Sequence, residues 1–145
     1  EAKLIELHGS NREVACQTCE TRSDPAAAFA AFSMTREPPT CACGGFLKPA
    51  TISFGQSLDQ GDIERAVVAA MACDLVIALG STLSVHPAAS IPQLAADRGA
   101  PYVIINRGRT DHDELENVTL RLDGDVSDLF VPAVEAAMSP ARNAQ

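Results

Sequence analysis

The sequence predicts an α/β protein with a Rossmann-like, doubly wound and mostly parallel sheet, accompanied by a small zinc-ribbon module. Three observations lead to this fold class. Residues 74–79 form an apolar run behind one acid, which is typical of a strand buried on both faces of a parallel sheet. From residue 49 onward, strand-like and helix-like segments alternate as they do in doubly wound sheets. Ahead of them, four cysteines fall in two close pairs.

The bulk composition excludes several classes of protein. The 145 residues suffice for one α/β lobe with a small satellite, and 46% of them are hydrophobic and 21% charged, as in globular proteins. No apolar run is long enough to span a bilayer, and no signal-peptide pattern is present. The formal net charge of −8, without a cluster of Lys and Arg, argues against direct binding of nucleic acid. We expect a cytoplasmic protein without a membrane partner.

The part of the chain before residue 49 predicts two short extended segments and one helix, at residues 1–7, 12–19 and 26–32. Asp24 is the expected N-cap of the helix, and Pro25 takes its first position. The later part predicts four strands, at residues 49–54, 74–79, 101–106 and 118–122, the last of edge type. Helices are expected after Asp59, over residues 91–98, and after Asp125 or Ser127. The buried face predicted for the helix after Asp59 comprises Ile63, Ala66, Val67, Ala70 and Met71.

The paired cysteines predict a metal site. Cys16 and Cys19 are separated by two residues, Cys41 and Cys43 by one, and 21 residues lie between the pairs. Four thiolates satisfy zinc in a tetrahedral site, which leaves no open position and is therefore structural. Two glycines after the second pair allow main-chain N–H groups to turn toward the sulfurs. An odd cysteine count with this pairing favours a reducing compartment, and Cys73 is expected to pack in the core.

These elements predict three parts of the chain. The zinc-ribbon module comprises residues 11–48, and the Rossmann-like lobe is formed by residues 1–10 together with residues 49–138. Residues 139–145 are expected to be a frayed tail.

A small polar loop follows the apolar run at residues 74–79. Gly80, Ser81 and Thr82 stand at the carboxyl end of the predicted strand, where loop N–H groups of open α/β sheets bind an anion or a sugar. Taken alone, the segment is more typical of an ordinary strand-to-helix turn. Together with residues 83–87, however, it resembles the Gly-Thr-Ser-Leu-x-Val-x-Pro loop of the sirtuins, the NAD-dependent protein deacylases, with the order of Ser81 and Thr82 exchanged.

The resemblance implies which residues bind NAD. Gly80, Ser81, Thr82 and Val85 correspond to the loop just described. The asparagine of an Ile-Ile-Asn-Arg step resembles the family's contact with the adenosine ribose, and the turn Gly-Asp-Val resembles a Gly-Asp-Cys turn whose main chain holds adenine. The residues implied at the adenosine end are Asn106, Arg107, Gly124 and Val126.

The resemblance extends to the cysteines and to one histidine. The sirtuin zinc pattern usually has two residues between the cysteines of the second pair, so the single residue here implies a slightly strained knuckle. His8, in Glu-Leu-His-Gly, resembles the catalytic histidine motif, and an imidazole at a strand end can act as a general base near neutral pH. His86 and His112 lack such a context, and we expect them to be surface or loop histidines.

The reaction of the family gives that histidine its implied role. The oxygen of the acyl-lysine attacks the ribose carbon that loses nicotinamide. The histidine then deprotonates a ribose hydroxyl, which attacks the acyl carbon, so that the acyl group ends on ADP-ribose.

The segment after the strand at residues 49–54 resembles the Phe-Gly-Glu segment of the sirtuins. The resemblance implies that Phe54, Gly55, Gln56 and Ser57 pair with an acyl-lysine peptide by strand addition. Gln56 replaces the usual glutamate and removes one charge. Considered without the other motifs, these residues indicate only a strand end with a glycine turn.

The motifs follow sirtuin order from Leu4 to Met138, but they cover only the later half of a sirtuin catalytic core. The family's Gly-Ala-Gly-x-Ser loop and Gln-Asn-x-Asp stretch do not occur, so the predicted sheet lacks its first strand–helix units. We expect an NAD-dependent protein deacylase with an incomplete core, and a second chain that supplies the N-terminal half is a candidate partner. The alternatives are a sirtuin-type ADP-ribosyltransferase and a non-catalytic, zinc-bearing interaction fragment.

Overall fold

The computed structural model describes residues 4–139, and the chain divides into two compact units, Glu1–Ile63 and Glu64–Gln145. The first unit contains an antiparallel sheet in the order β2-β1-β3. Its elements are β1 (Gly9–Cys16), β2 (Arg22–Ser23), α1 (Ala26–Thr35) and β3 (Leu47–Thr51). Helix α2 (Gln60–Ala72) follows. No helix in the described part of the chain is long and apolar enough to cross a membrane.

The strand predicted at residues 1–7 is wrong for the part that the structure describes. Leu4 is exposed, and a turn closed by the N–H of Gly9 and the carbonyl of Glu6 precedes β1, which begins only at Gly9. The alternating apolar residues therefore lead into a turn and have no neighbouring strand to pair with. Residues 1–3 lie outside the described residues.

Strand β3 lies two to three residues earlier than the predicted segment 49–54. It pairs with β1 through Thr51, after which the main chain turns at residues 53–56, where the N–H of Gln56 donates to the carbonyl of Ser53. Phe54 is thereby 95% exposed instead of continuing the strand. The N-cap of α1 is Pro25, one residue after the predicted Asp24. The Asp24 carboxylate nevertheless accepts the N–H of Ala26, the first residue of the helix, at 2.8 Å.

The second unit is built on a parallel sheet in the order β4-β5-β6. Its strands are β4 (Val76–Leu79), β5 (Tyr102–Asn106) and β6 (Leu120–Asp123), and its helices include α3 (Ser90–Asp97) and α4 (Val126–Met138). The alternation of parallel strands and helices is the predicted Rossmann-like pattern. The cap of α4 is Asp125, whose carboxylate accepts the N–H of Ser127 at 2.8 Å.

The core of this unit lies around β5. Tyr102 and Ile104 are fully buried and pack with Leu83 and Ala96. The prediction that residues 74–79 are buried on both faces is wrong here, because Leu75 and Leu79 are 48% and 36% exposed and the three residues between them are only half-buried. Strand β5 has neighbours on both sides and holds the central place. Met71, predicted on the buried face of α2, is exposed, whereas Ala66 and Ala70 are buried.

Candidate functional site

The first unit brings the four predicted metal ligands together. The sulfurs of Cys16, Cys19, Cys41 and Cys43 all lie within 4.8 Å of one another. The Sγ atoms of Cys16 and Cys43 are 3.5 Å apart, and those of Cys19 and Cys41 are 3.8 Å apart. A tetrahedral zinc with Zn–S bonds of about 2.3 Å requires sulfurs about 3.8 Å apart. The donor set therefore fits zinc, and the four sulfurs occupy all four positions of a tetrahedral site, so none is left for a water molecule.

Two short turns place these sulfurs. At the end of β1, the N–H of Thr18 donates to Cys16 Sγ, and the N–H of Glu20 donates to the Cys16 carbonyl. At the second pair, the N–H of Gly44 donates to the carbonyl of Cys41, and the N–H of Cys41 donates to the carbonyl of Gly45. The one-residue spacing of this pair is thus contained within a tight hairpin.

The main chain and the neighbouring side chains tune the thiols. The main-chain N–H groups of Cys19 and Thr18 lower the pKa of Cys16, and hydrogen bonds with Thr21 lower the pKa of Cys19 to about 6. The N–H of Gly45 favours the thiolate of Cys43, but the neighbouring cysteine sulfurs outweigh it and raise the pKa of Cys43 to about 12. Without a cation, the four thiols cannot all ionise, whereas a bound metal ion stabilises four thiolates.

Gly45 is required at this site because no side chain fits there. A Cβ on Gly45 would lie 2.7 Å from Cys16 Sγ and 2.5 Å from Thr18 Oγ1, whereas a Cβ on Gly44 would meet open space. We expect Gly45→Ala to weaken zinc binding and to destabilise the protein by about 1–3 kcal/mol through overpacking. Gly44→Ala is the matched control. It should lower the stability by only about 1 kcal/mol, because alanine disfavours the left-handed backbone at φ +86°, and it should retain zinc affinity. Competition with a chromophoric chelator measures this affinity, and equal zinc affinity in the two variants would contradict the expectation.

His8 lies in the exposed turn that leads into β1. Its carbonyl accepts the N–H of Ile52 at 2.9 Å, so the turn is fixed to the segment after β3. The next residue, Gly9, has φ +69°, and a Cβ there would lie 2.1 Å from the Ala50 carbonyl oxygen. Only glycine fits between the two strands at this point.

The predicted peptide-binding segment is also in the first unit. Phe54 and Gly55 are exposed, and the side-chain oxygen of Gln56 accepts the N–H of Ser53 at 2.9 Å. Gln56 therefore closes its own turn, which a glutamate oxygen would do equally well. Gln56 and Ser57 line a cavity of about 320 Å³ together with residues of β1 and β3, including Lys48.

The second unit brings together most of the residues that the resemblance implies for NAD. Gly80, at the end of β4 with φ +61°, has its Cα next to α4, since a Cβ there would lie 3.6 Å from Val126 Cγ2. The carbonyl of Asn106 accepts the N–H of Gly124, and Arg107 forms an ion pair with Asp125 at 2.5 Å. The carboxyl ends of β4, β5 and β6 thus place these residues along one edge of the sheet. Val85 is 44% exposed.

The Asn106 side chain has a local task that the sequence did not indicate. The residue is 7% exposed, and its Nδ2 donates to the carbonyls of Arg107 and Gly108, both at 3.2 Å. The side chain therefore holds the loop after β5 in place. This local role leaves the predicted contact with an adenosine ribose a prediction.

A buried ion pair under this edge was missed by sequence reasoning. Asp113 accepts hydrogen bonds from Thr110 Oγ1 at 2.5 Å and from Arg121 Nε at 2.7 Å, and Arg121 also donates to the carbonyl of Asn106. Both charged side chains are at least 80% buried. The signal that could have found the turn is the Thr-x-x-Asp spacing, in which the two side chains close a local turn.

This pair predicts a pH dependence of stability. Hydrogen bonding from Thr110, and then from Arg121, lowers the pKa of Asp113 to about 2. Because that pKa lies below the ordinary 3.8, the stabilisation is complete above about pH 4 and is lost as the pH falls toward 2. Asp113→Asn should lower the free energy of unfolding in urea at pH 7, and its difference from the parent protein should shrink below pH 4. The exposed pair Arg109–Glu114 serves as control, since Glu114→Gln should cost less than about 1 kcal/mol. An Asp113→Asn protein as stable as the parent at pH 7 would contradict this.

The prediction for His112 as a surface or loop histidine is wrong in its exposure. His112 does lie in a loop, but it is 3% exposed and its Nδ1 is 2.9 Å from the hydroxyl of Tyr102. The imidazole can occupy a buried position because the Tyr102 hydroxyl forms a hydrogen bond with its Nδ1 atom. His86 is exposed as expected, with Nδ1 2.8 Å from Ser90 Oγ.

Cys73 is half-buried, and its thiol donates to the carbonyl of Ala70.

Comparisons with known proteins agree on one family. The Sir2 family model matches residues 1–87. An NAD-dependent protein deacetylase of Rhodopseudomonas palustris is 42% identical over 124 residues, which are 85% of this chain and 49% of that protein. NAD-dependent protein deacetylase 2 of Streptomyces coelicolor is 37% identical over 120 residues, 82% of this chain and 50% of that protein. The chain spans about half the length of the curated relatives it matches.

Solved structures agree with the sequence comparisons. Sir2Tm bound to a propionylated peptide superposes with a TM-score of 0.83 at 30% identity, over 94% of this chain and 57% of that one. A Sir2 complex with a p53 peptide and NAD⁺ gives the same TM-score and identity, over 94% and 56%. The Rossmann-like parallel sheet and the cluster of four cysteines agree with these sirtuin neighbours. The chain belongs to the Sir2 family, the sirtuins.

Proposed function

We propose that this chain is the later part of an NAD-dependent protein lysine deacylase. The enzyme would convert NAD, an acyl-lysine and water into nicotinamide, O-acyl-ADP-ribose and lysine. Relatives named NAD-dependent protein deacetylases support the proposal, as do structural neighbours that hold acylated peptides and a Sir2 complex with 3′-O-acetyl-ADP-ribose. The substrate would be a protein or peptide carrying an acyl-lysine.

One observation in this chain carries the proposal furthest. The loop after β4 has unused main-chain donors, since within residues 4–139 the N–H groups of Ser81 and Thr82 make no hydrogen bond. The Ser81 hydroxyl accepts the N–H of Leu83 at 3.1 Å, and Leu83 is held at φ +57°. The loop is thereby shaped independently of any ligand. Free N–H groups at the carboxyl end of a parallel strand are suited to the phosphate oxygens of a dinucleotide.

The other NAD residues would act at the adenosine end. Gly124 and Val126 would offer main-chain groups to adenine, while Asn106 and Arg107 stand at the neighbouring strand end. Arg107 is 78% exposed on its side chain and is paired only with Asp125 among the described residues, so it can also face an anionic ligand. In this proposal NAD is a substrate that is consumed.

Zinc would be held by Cys16, Cys19, Cys41 and Cys43. It would stabilise the first unit by cross-linking the turn after β1 to the hairpin that contains the second cysteine pair. His8 would act as the general base that takes a proton from a ribose hydroxyl after nicotinamide has left. Phe54 to Ser57 would pair with the substrate peptide as an added strand, and hydrogen bonds between the two main chains would provide affinity.

We also propose that the protein acts in the cytoplasm, which fractionation of cells would test.

The proposal is tested by measuring nicotinamide release with and without an acetylated peptide, in the full-length protein. A deacylase should release nicotinamide only when the acylated peptide is present, and deacylated peptide should form in equal amount. Release of nicotinamide without acylated peptide, with ADP-ribose attached to a protein, would instead indicate ADP-ribosyl transfer. The absence of both reactions in a folded, zinc-loaded protein would favour the non-catalytic interaction fragment.

A further inference from the structure

The second unit contains a buried polar pair that the proposed reaction does not use. Tyr102, on β5, is fully buried, and His112, in the loop before β6, is 3% exposed. Tyr102 Oη lies 2.9 Å from His112 Nδ1, and the two rings meet edge to face with centroids 6.0 Å apart. With a neutral imidazole, Nδ1 is the acceptor and the tyrosine hydroxyl is the donor.

This pair lies directly under the loop proposed to bind the dinucleotide. Tyr102 packs in the same apolar cluster as Leu83, which belongs to that loop. The residue next to His112, Asp111, donates its N–H to the carbonyl of Thr82 at 3.0 Å. The loop thus shares an apolar cluster with Tyr102 through Leu83, and through Thr82 it is hydrogen-bonded to the segment that contains the histidine.

We propose that the Tyr102–His112 pair is a positioning element for residues 80–87, and that protonation of His112 releases this loop. The inference rests on the proposed function only in assigning the dinucleotide to the loop. Its chemistry is a change of hydrogen-bond direction: the neutral imidazole accepts from the tyrosine hydroxyl, whereas the imidazolium carries a proton on both nitrogens and can only donate.

The surroundings favour the neutral imidazole. Burial lowers the pKa of His112 from its ordinary 6.5, His86 lowers it further, and Asp111 opposes both. The titratable groups acting on the ring are therefore Tyr102 from β5, His86 from the loop after β4, and Asp111 from its own loop, while α3 adds only the uncharged Ser90 beside His86. Since the folded-state pKa lies below the unfolded one, the unfolded chain binds the proton first. Stability is complete above about pH 6.5 and is lost as the pH falls through the folded pKa.

Hydrogen–deuterium exchange of the full-length protein tests this without any ligand. The peptides spanning residues 80–87 and 107–118 are followed near pH 7.5 and near pH 5.5, in the parent protein and in the double variant Tyr102→Phe/His112→Leu. Replacing both partners by apolar groups leaves no buried polar group unpaired and is expected to be nearly neutral for folding. Comparison at the same pH removes the intrinsic pH dependence of exchange.

We expect equal protection of the two proteins near pH 7.5 and faster exchange of both peptides in the parent protein near pH 5.5. The ratio of exchange rates should reach at most about tenfold, because pH 5.5 lies one unit below the ordinary pKa of 6.5 and one unit corresponds to a factor of ten. His112→Gln, whose amide oxygen can still accept from Tyr102 without titrating, should stay protected at both pH values. The same exchange ratio at both pH values, or an equal loss of protection in His112→Gln, would overturn the inference.

A calorimetric titration with NAD separates this inference from the proposed function. If both are right, the Kd for NAD should rise toward pH 5.5 in the parent protein and not in His112→Gln. If no protein binds NAD at any pH, the proposed function fails. The exchange experiment then still decides whether the pair positions the loop.

Discussion

Removing the metal from the four-cysteine site should unfold the first unit. Among the described residues of that unit, the buried apolar ones are few and small, namely Val14, Cys16, Ala28 and Ala50. Such a core cannot offset the conformational entropy of about sixty residues without a cross-link. Structural zinc contributes an apparent binding free energy of about 10–16 kcal/mol, which is as large as the whole unfolding free energy of an ordinary domain, about 5–15 kcal/mol.

Cys16→Ser is the variant with the largest expected effect. Cys16 is 1% exposed on β1, the middle strand of its sheet, and its sulfur is 3.5 Å from that of Cys43. We expect the variant to lose zinc, measured by inductively coupled plasma mass spectrometry, and to lose the cooperative thermal transition of the first unit in circular dichroism. Cys73→Ser is the matched control, because Cys73 lies outside the cluster. A Cys16→Ser protein that keeps one zinc per chain and its Tm would contradict the assignment.

Replacement of His8 should abolish deacylation with little effect on folding. The side chain is exposed and the turn is held by the His8 carbonyl, which His8→Ala retains. Loss of a general base lowers kcat by about 10²–10⁴-fold. Because the base would act only after nicotinamide has left, exchange of labelled nicotinamide into NAD should fall much less than formation of deacylated peptide.

The control for His8→Ala is Met34→Ala, at a residue of α1 that is 82% exposed. That variant should keep both the exchange reaction and deacylation. Thermal unfolding of both variants should match the parent protein. If His8→Ala retained most of its deacylation rate, or lost nicotinamide exchange to the same extent as deacylation, the role proposed for this histidine would be wrong.

Local signals in the sequence predicted the local features well. The side-chain hydrogen bonds of Asp24 and Asp125 at the starts of α1 and α4 were predictable because a carboxylate that accepts an N–H two residues later makes a short-range interaction. The cysteine cluster was predictable because two close cysteine pairs separated by about twenty residues are typical of the ligands of a structural zinc ion. The family motifs added the order of the remaining site residues along the chain.

Long-range packing explains what the sequence could not predict. An apolar run does not reveal where its strand lies in the sheet. The run at β4 was therefore predicted to be the fully buried strand, whereas β5 holds the centre of the order β4-β5-β6. His112 was taken for an exposed residue because its partner, Tyr102, lies ten positions earlier on another element. The ion pair of Asp113 and Arg121 was missed for the same reason, because it joins the loop after β5 to strand β6.

The destination of the acyl group tests the proposed reaction most directly. The full-length protein is incubated with NAD and a peptide whose lysine carries an isotopically labelled acetyl group, and the products are separated by mass spectrometry. We expect the label on ADP-ribose, in the same molar amount as the nicotinamide released. Label recovered as free acetate from the first turnover, with NAD unchanged, would contradict an NAD-dependent transfer.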